Sequence, residues 1–230
     1  MNAVLRFADA REVADLAAFL GRLIHYDRAA AVRLQAGGGA LAVFGRPPSF
    51  EVLAIRTARL QDESVALDVT VSAGELLESL DETASTARVP AAVTGPPWAG
   101  VLPPRGGWKP VPGLPEPEAI RGAIAAAVAE FRARDEALPE ELRSRAERER
   151  IGREIWCRTL GSTELPLRAV HAAQSLGFLR PVRVLAPAGA PTGADPVALL
   201  ASGPWLRLRT PYGSVAVRRA GLGALAVSPA

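Results

Sequence analysis

The chain has 230 residues, 49% of them hydrophobic, with a formal net charge of +3, and so carries enough apolar material for a real core. No apolar run approaches the roughly 18 residues of a membrane span. Arg6, Asp9, Arg11, Glu12 and Asp15 stand where a signal peptide has its apolar region, so a cytoplasmic protein without membrane association is expected.

Charge is unevenly placed. Residues 1–115 hold eleven basic and twelve acidic side chains, residues 116–154 eight and ten, and residues 155–230 eight and two. The positive excess therefore lies in the last third, the footprint of a polyanion-binding surface. Its arginine character says less. Lys109 is the only lysine among 27 basic residues, which, with the Ala, Gly and Pro load, reads as coding bias in a GC-rich genome.

In chain order, Val4 to Phe7 reads as a strand, and Asp9-Ala-Arg-Glu12 is a capping box that launches a helix. Val13, Leu16, Ala17, Leu20, Leu23 and Ile24 recur at three- and four-residue steps and put one stripe on a core. Ala30 to Ala36, Ala40 to Phe44, Val52 to Leu60 and Val65 to Val71 are β-branched-rich runs separated by turn chemistry, predicting antiparallel strands. Ser72-Ala-Gly-Glu75 is a second capping box, with Leu76, Leu77 and Leu80 inward. Residues 1–82 thus read as an α+β unit.

Between residues 83 and 117 nine of 35 residues are proline and no periodicity survives. Trp98 and Trp108 lie in this stretch. Free linkers are poor in tryptophan, so it is expected to be an ordered strap pinned on the domain surface. Trp98 and Trp108 are also the candidate contacts for a protein partner or a second copy of the chain.

Residues 118–230 are expected to form a helical unit ending in a basic hairpin. Pro117 opens a helix with Ile120, Ile124, Val128 and Phe131 on one side, ended at Leu138-Pro139. A second helix is predicted from Glu140 to Leu160, its exposed face laced by Glu141 with Arg145, Glu149 with Arg153 and Glu154 with Arg158. Leu142, Ala146, Ile151, Ile155 and Trp156 supply the buried side, with Cys157 as a buried thiol. The two helices should form an antiparallel hairpin.

A third helix, Pro166 to Phe178, places Arg168, His171 and Ser175 on one face. Val182 to Leu185 reads as a strand, 186–196 as a loop and Val197 to Ala201 as a helical turn; the tail 221–230 shows no convincing pattern. The closing hairpin alternates Arg207 and Arg209 with Leu206 and Leu208, turns at Thr210-Pro-Tyr-Gly-Ser214 and ends at Arg218 and Arg219. Helix plus basic hairpin is a winged-helix-like layout, the groove-reading element followed by a flanking one.

Enzyme motifs find no context. Gly37-Gly-Gly39-Ala-Leu-Ala42 fits a loose dinucleotide fingerprint, but a strand leaves it where a helix is required. Lys109 precedes a proline, so there is no phosphate loop. His25, Cys157 and His171 lack metal-ligand spacing. Thr70 to Gly74 is a helix cap rather than a nucleophile elbow. No catalytic residue, metal or cofactor is expected.

Two readings of function remain. One is a non-catalytic interaction or scaffold protein that binds a protein partner or self-associates. The other is a nucleic-acid-binding protein using Arg168, His171, Ser175, Arg207, Arg209, Arg218 and Arg219.

Overall fold

The computed structural model describes residues 3–181 and 197–219. In chain order they form β1 (Val4–Arg6), α1 (Ala10–Tyr26), β2 (Ala31–Gly37), β3 (Ala40–Gly45), β4 (Leu53–Arg59), β5 (Leu67–Ser72), α2 (Ala73–Glu78), β6 (Leu80–Asp81), β7 (Thr86–Arg88), β8 (Lys109–Pro110), α3 (Pro117–Glu136), α4 (Arg145–Trp156), α5 (Leu167–Ser175), β9 (Ala198–Ser202), β10 (Trp205–Thr210) and β11 (Gly213–Arg218). The fold is mixed α+β, as the hydrophobic pattern predicts. No helix among the described residues is long and apolar enough to cross a membrane.

Both N-terminal caps form. The Glu12 amide donates to Asp9 Oδ1 at 3.1 Å and the Glu75 amide to Ser72 Oγ at 3.4 Å, so α1 and α2 start where the sequence places them. The stripe of α1 buries Val13, Leu16, Phe19, Leu20 and Leu23, each worth about 2 kcal/mol on full burial.

The eight-stranded antiparallel sheet has the order β5-β2-β3-β4-β11-β10-β9-β8, and β1-β7-β6 forms a small second sheet. Strands from both sides of the strap thus share one sheet: β11 pairs with β4 through Ser214 with Ile55, Val215 with Ala54 and Ala216 with Leu53. One face carries the main core, including Leu34, Val43, Ala54, Leu206, Leu208 and Val215, and is covered by α1, α2 and α5. The α3–α4 hairpin docks on α5. Its interhelical ion pairs, Asp135 with Arg148, Arg134 with Glu154 and Glu130 with Arg158, show that the two helices run antiparallel.

Several local expectations are corrected. Residues 198–202 form strand β9 rather than a helical turn, because Leu200 pairs with Arg207 and Leu199 is buried; tertiary pairing overrides the short local signal. The helix predicted from Glu140 is broken. Glu140–Leu142 is a single 3₁₀ turn after Pro139, and α4 starts at its own cap, where the Glu147 amide donates to Ser144 Oγ at 3.2 Å. The break moves the charge ladder: Arg145 bonds Glu149, and Arg150 bonds both Glu147 and Glu154.

The hairpin β10–β11 does not stand free as a wing. It lies inside the sheet, flanked by β9 and β4. Its turn needs Gly213, whose φ is +152° and where a Cβ would sit 2.6 Å from the Phe178 ring. The predicted strand at 182–185, the loop 186–196 and the tail 221–230 lie outside the described residues.

Candidate functional site

Helix α5 buries Leu167, Ala169, Val170, Ala172 and Ala173, which turns Arg168, His171 and Ser175 away from the sheet. His171 stacks on Trp156 at 4.4 Å between centroids and meets Phe50 edge-on at 5.3 Å. Burial pushes its pKa below the ordinary histidine value. The Arg168 Nε lies 3.7 Å from the Glu51 carboxylate, an ion pair too long for a hydrogen bond, and its Nη1 is 3.6 Å from Cys157 Sγ. Ser175 is half-buried. Cys157 is exposed, contrary to the buried thiol expected, because α4 ends at Trp156 and the cap residue falls outside its buried stripe.

The arginines of the hairpin lie elsewhere. Leu206 and Leu208 enter the main core, so Arg207 and Arg209 leave by the opposite sheet face, away from α5. Arg218 reaches over the Trp205 ring at 5.3 Å. The Arg219 Nε lies 3.4 Å from the Glu164 carboxylate. The structure therefore gathers Arg168, His171 and Ser175 on one side and Arg207, Arg209 and Arg218 on the other, rather than on one continuous surface.

The strap crosses this second face. Trp98, Leu102 and Trp108 pack on a smaller apolar cluster of Phe44, Leu53, Ile55, Trp205 and Ala216. Proline removes amide donors, so the strap is tied at few points. The Val93 amide donates to the Thr70 carbonyl at 2.9 Å, the Ser202 hydroxyl to the Gly106 carbonyl at 3.4 Å, and β8 pairs briefly with β9, while the Trp108 indole bonds the Pro104 carbonyl within the strap at 3.0 Å. Both indoles are half-buried, with part of each ring accessible.

Where the strap leaves the sheet uncovered, a cavity of about 350 Å³ opens. Phe44, Ile55 and Ala42 form its apolar floor and Pro103 and Pro104 a wall; Gln35, Thr57, Arg105 and Arg207 supply the polar groups. The Arg207 Nε donates to Ser214 Oγ at 2.8 Å, and its guanidinium lies 5.6 Å from the Trp108 ring centroid. Among the described residues no carboxylate pairs with it. Burial lowers its pKa from the usual arginine value, and the Arg209 charge pushes the same way. A carboxylate on this face, Asp68, is already held by Arg33 Nε at 2.6 Å and Gln35 Nε2 at 3.3 Å, which keeps its pKa below the usual range.

The cavity can hold an anion by charge and an apolar group by contact. Among the described residues its lining has no carboxylate, imidazole or thiol. Among the described residues no group of three or more His, Cys, Asp or Glu is placed to hold a metal ion. The sequence reading missed Gln35, Thr57 and Arg105 as site residues. The available signal was the alternation of Arg33 and Gln35 in β2 and of Thr57 and Arg59 in β4, which marks a second, polar sheet face.

Residues 1–100 match a family described as domain of unknown function DUF8010, and residues 103–222 match another described as domain of unknown function DUF8185. No curated protein and no solved structure matches the chain. The second match covers more than half of the sequence, and the chain belongs to the DUF8185 family.

Proposed function

We propose that this protein is an interaction protein that binds an anionic ligand on the strap-covered face of its sheet. One observation carries the reading: Arg207 is half-buried in the wall of a cavity, and among the described residues Ser214 is its only hydrogen-bond partner and no carboxylate balances its charge. A desolvated cation without a counter-charge is costly, and a bound anion removes that cost. The lining favours holding over transforming, since it offers cations, an amide and a hydroxyl but no general base. The accessible edges of Trp98 and Trp108 frame the same face, which agrees with the expectation that they contact a partner.

Less supports a nucleic-acid interface. Arg168 and Arg219 face glutamates, and the α5 residues lie across the sheet from Arg207 and Arg209.

The test uses Trp156→Phe, which leaves Trp98, Trp108 and Trp205, all on this face, as the only indoles. Their emission should change saturably on titration with at least one of an organic carboxylate, inorganic phosphate and an acidic peptide. A flat response to all three overturns the reading. In parallel, duplex and single-stranded DNA at about 50 mM salt should bind no tighter than about 100 μM. Tighter binding that is lost in Arg207→Ala/Arg209→Ala would restore the nucleic-acid reading.

A further inference from the structure

We infer that the ligand of this cavity is a small organic acid, one carboxylate on a flat apolar body; the inference rests on the binding reading above and narrows it. The geometry points to a carboxylate first. Nε is committed to Ser214, among the described residues neither Nη group of Arg207 has a hydrogen-bond partner, and a planar fork of two N–H donors matches the two oxygens of a carboxylate.

A phosphate is poorly served by the same walls. Phosphate sites are built from runs of backbone amides or helix N-termini. Here the wall is Pro103 and Pro104, which have no amide hydrogen to give. Arg33 is neutralised by Asp68, so it adds no net positive charge to the site, while Arg105 stands exposed at the rim.

The rest of the cavity selects the body. Phe44, Ile55 and Ala42 present a flat pleated surface, on which a planar group makes more contact than a branched one. At about 350 Å³ the space is at the low end for small-molecule sites, which limits the body to something near a fused ring pair. Thr57 and the Gln35 side-chain carbonyl offer a polar substituent partners, while the Gln35 Nε2 stays on Asp68.

The experiment is calorimetric titration of the full chain with 2-naphthoate, with 2-naphthalenemethanol as the neutral analogue of the same body, and with inorganic phosphate. 2-Naphthoate should bind at least about tenfold more tightly than the alcohol, the ratio for one charge-assisted bidentate contact. Arg207→Gln should lose about tenfold or more for the acid and leave alcohol binding unchanged. Ala42→Leu, which keeps Arg207 and fills the floor, should lose both. Equal binding of acid and alcohol overturns the inference, as does wild-type affinity in either variant.

If phosphate binds and 2-naphthoate does not, the ligand class proposed here falls while the binding face stands. If no probe binds and the indole emission stays flat, the binding face itself falls. Thermal melts of Arg207→Gln identify a variant that fails to fold, in which case Ala42→Leu decides alone.

Discussion

The two faces of the eight-stranded sheet each hold an arginine drawn out of water, buried Arg56 on one and half-buried Arg207 on the other, and treat it in opposite ways. On the helix-covered face Arg56 is 7% exposed. It donates to Asp15 Oδ2 at 3.1 Å and to the Tyr212 carbonyl at 2.9 Å, with Glu12 Oε2 at 3.5 Å. Burial lowers its pKa, and the charges of Asp15 and Glu12 oppose that shift. Arg180 and Arg59 complete the network by bonding Asp15 and Glu12. On the strap-covered face Arg207 has no such pair among the described residues. Helices present continuous apolar stripes and close a face, whereas a proline-rich strap without a hydrogen-bonding pattern closes it only in patches. The first cation joins α1 to the sheet; the second is the one whose charge, in the reading proposed above, a ligand balances.

The largest effect should come from breaking the closed face. Arg56→Met leaves two largely buried carboxylates short of their shared partner and should cost about 3 kcal/mol in urea unfolding. A loss comparable to that of exposed Arg59→Met would mean that the network is no more than a surface ion pair, and the contrast between the faces would collapse.

Next is the strap. Limited proteolysis should spare residues 90–115 in the wild type and cut there in Trp98→Ala/Trp108→Ala, with melting lowered by several degrees. Rapid cleavage of the wild type throughout this stretch would show that the second face is open rather than covered.

The smallest effect concerns pH. His171 has a folded-state pKa below its unfolded value of about 6.5, so the unfolded chain takes up the proton first. The stability it confers is complete above pH 6.5 and is lost as the pH falls below that value. Urea midpoints should therefore drop more between pH 7.5 and 5.5 in the wild type than in His171→Phe. Equal drops would show that the α5 side is as solvated as the strap side.

Much of this architecture is legible in the residues, and what is not has definable causes. The caps at Asp9 and Ser72 and the strand runs of β2 to β5 are local signals, and local signals survive folding. The Ser144-Arg-Ala-Glu147 cap is equally local, but the apolar stripe through Leu142 and Ile151 reads as one helix and hides it. Strand β9 is a different case: its five residues carry no decisive pattern, and only the presence of β10 beside them makes them a strand. The candidate site depends wholly on long-range placement. Alternation shows that Arg207 and Arg209 share a face, yet which face is covered by helices, and which by the strap, follows from the sheet order, and no short window contains that order.

The pairing of β4 with β11 sets a schedule for synthesis. Until residues 213–218 leave the ribosome, β4 is an edge strand with a row of peptide groups unpaired. Closing that edge joins residues from opposite ends of the chain, a slow step because the intervening loop must be ordered first. Among the described residues, the β4 edge of the region matched by DUF8010 is thus closed by a strand of the region matched by DUF8185.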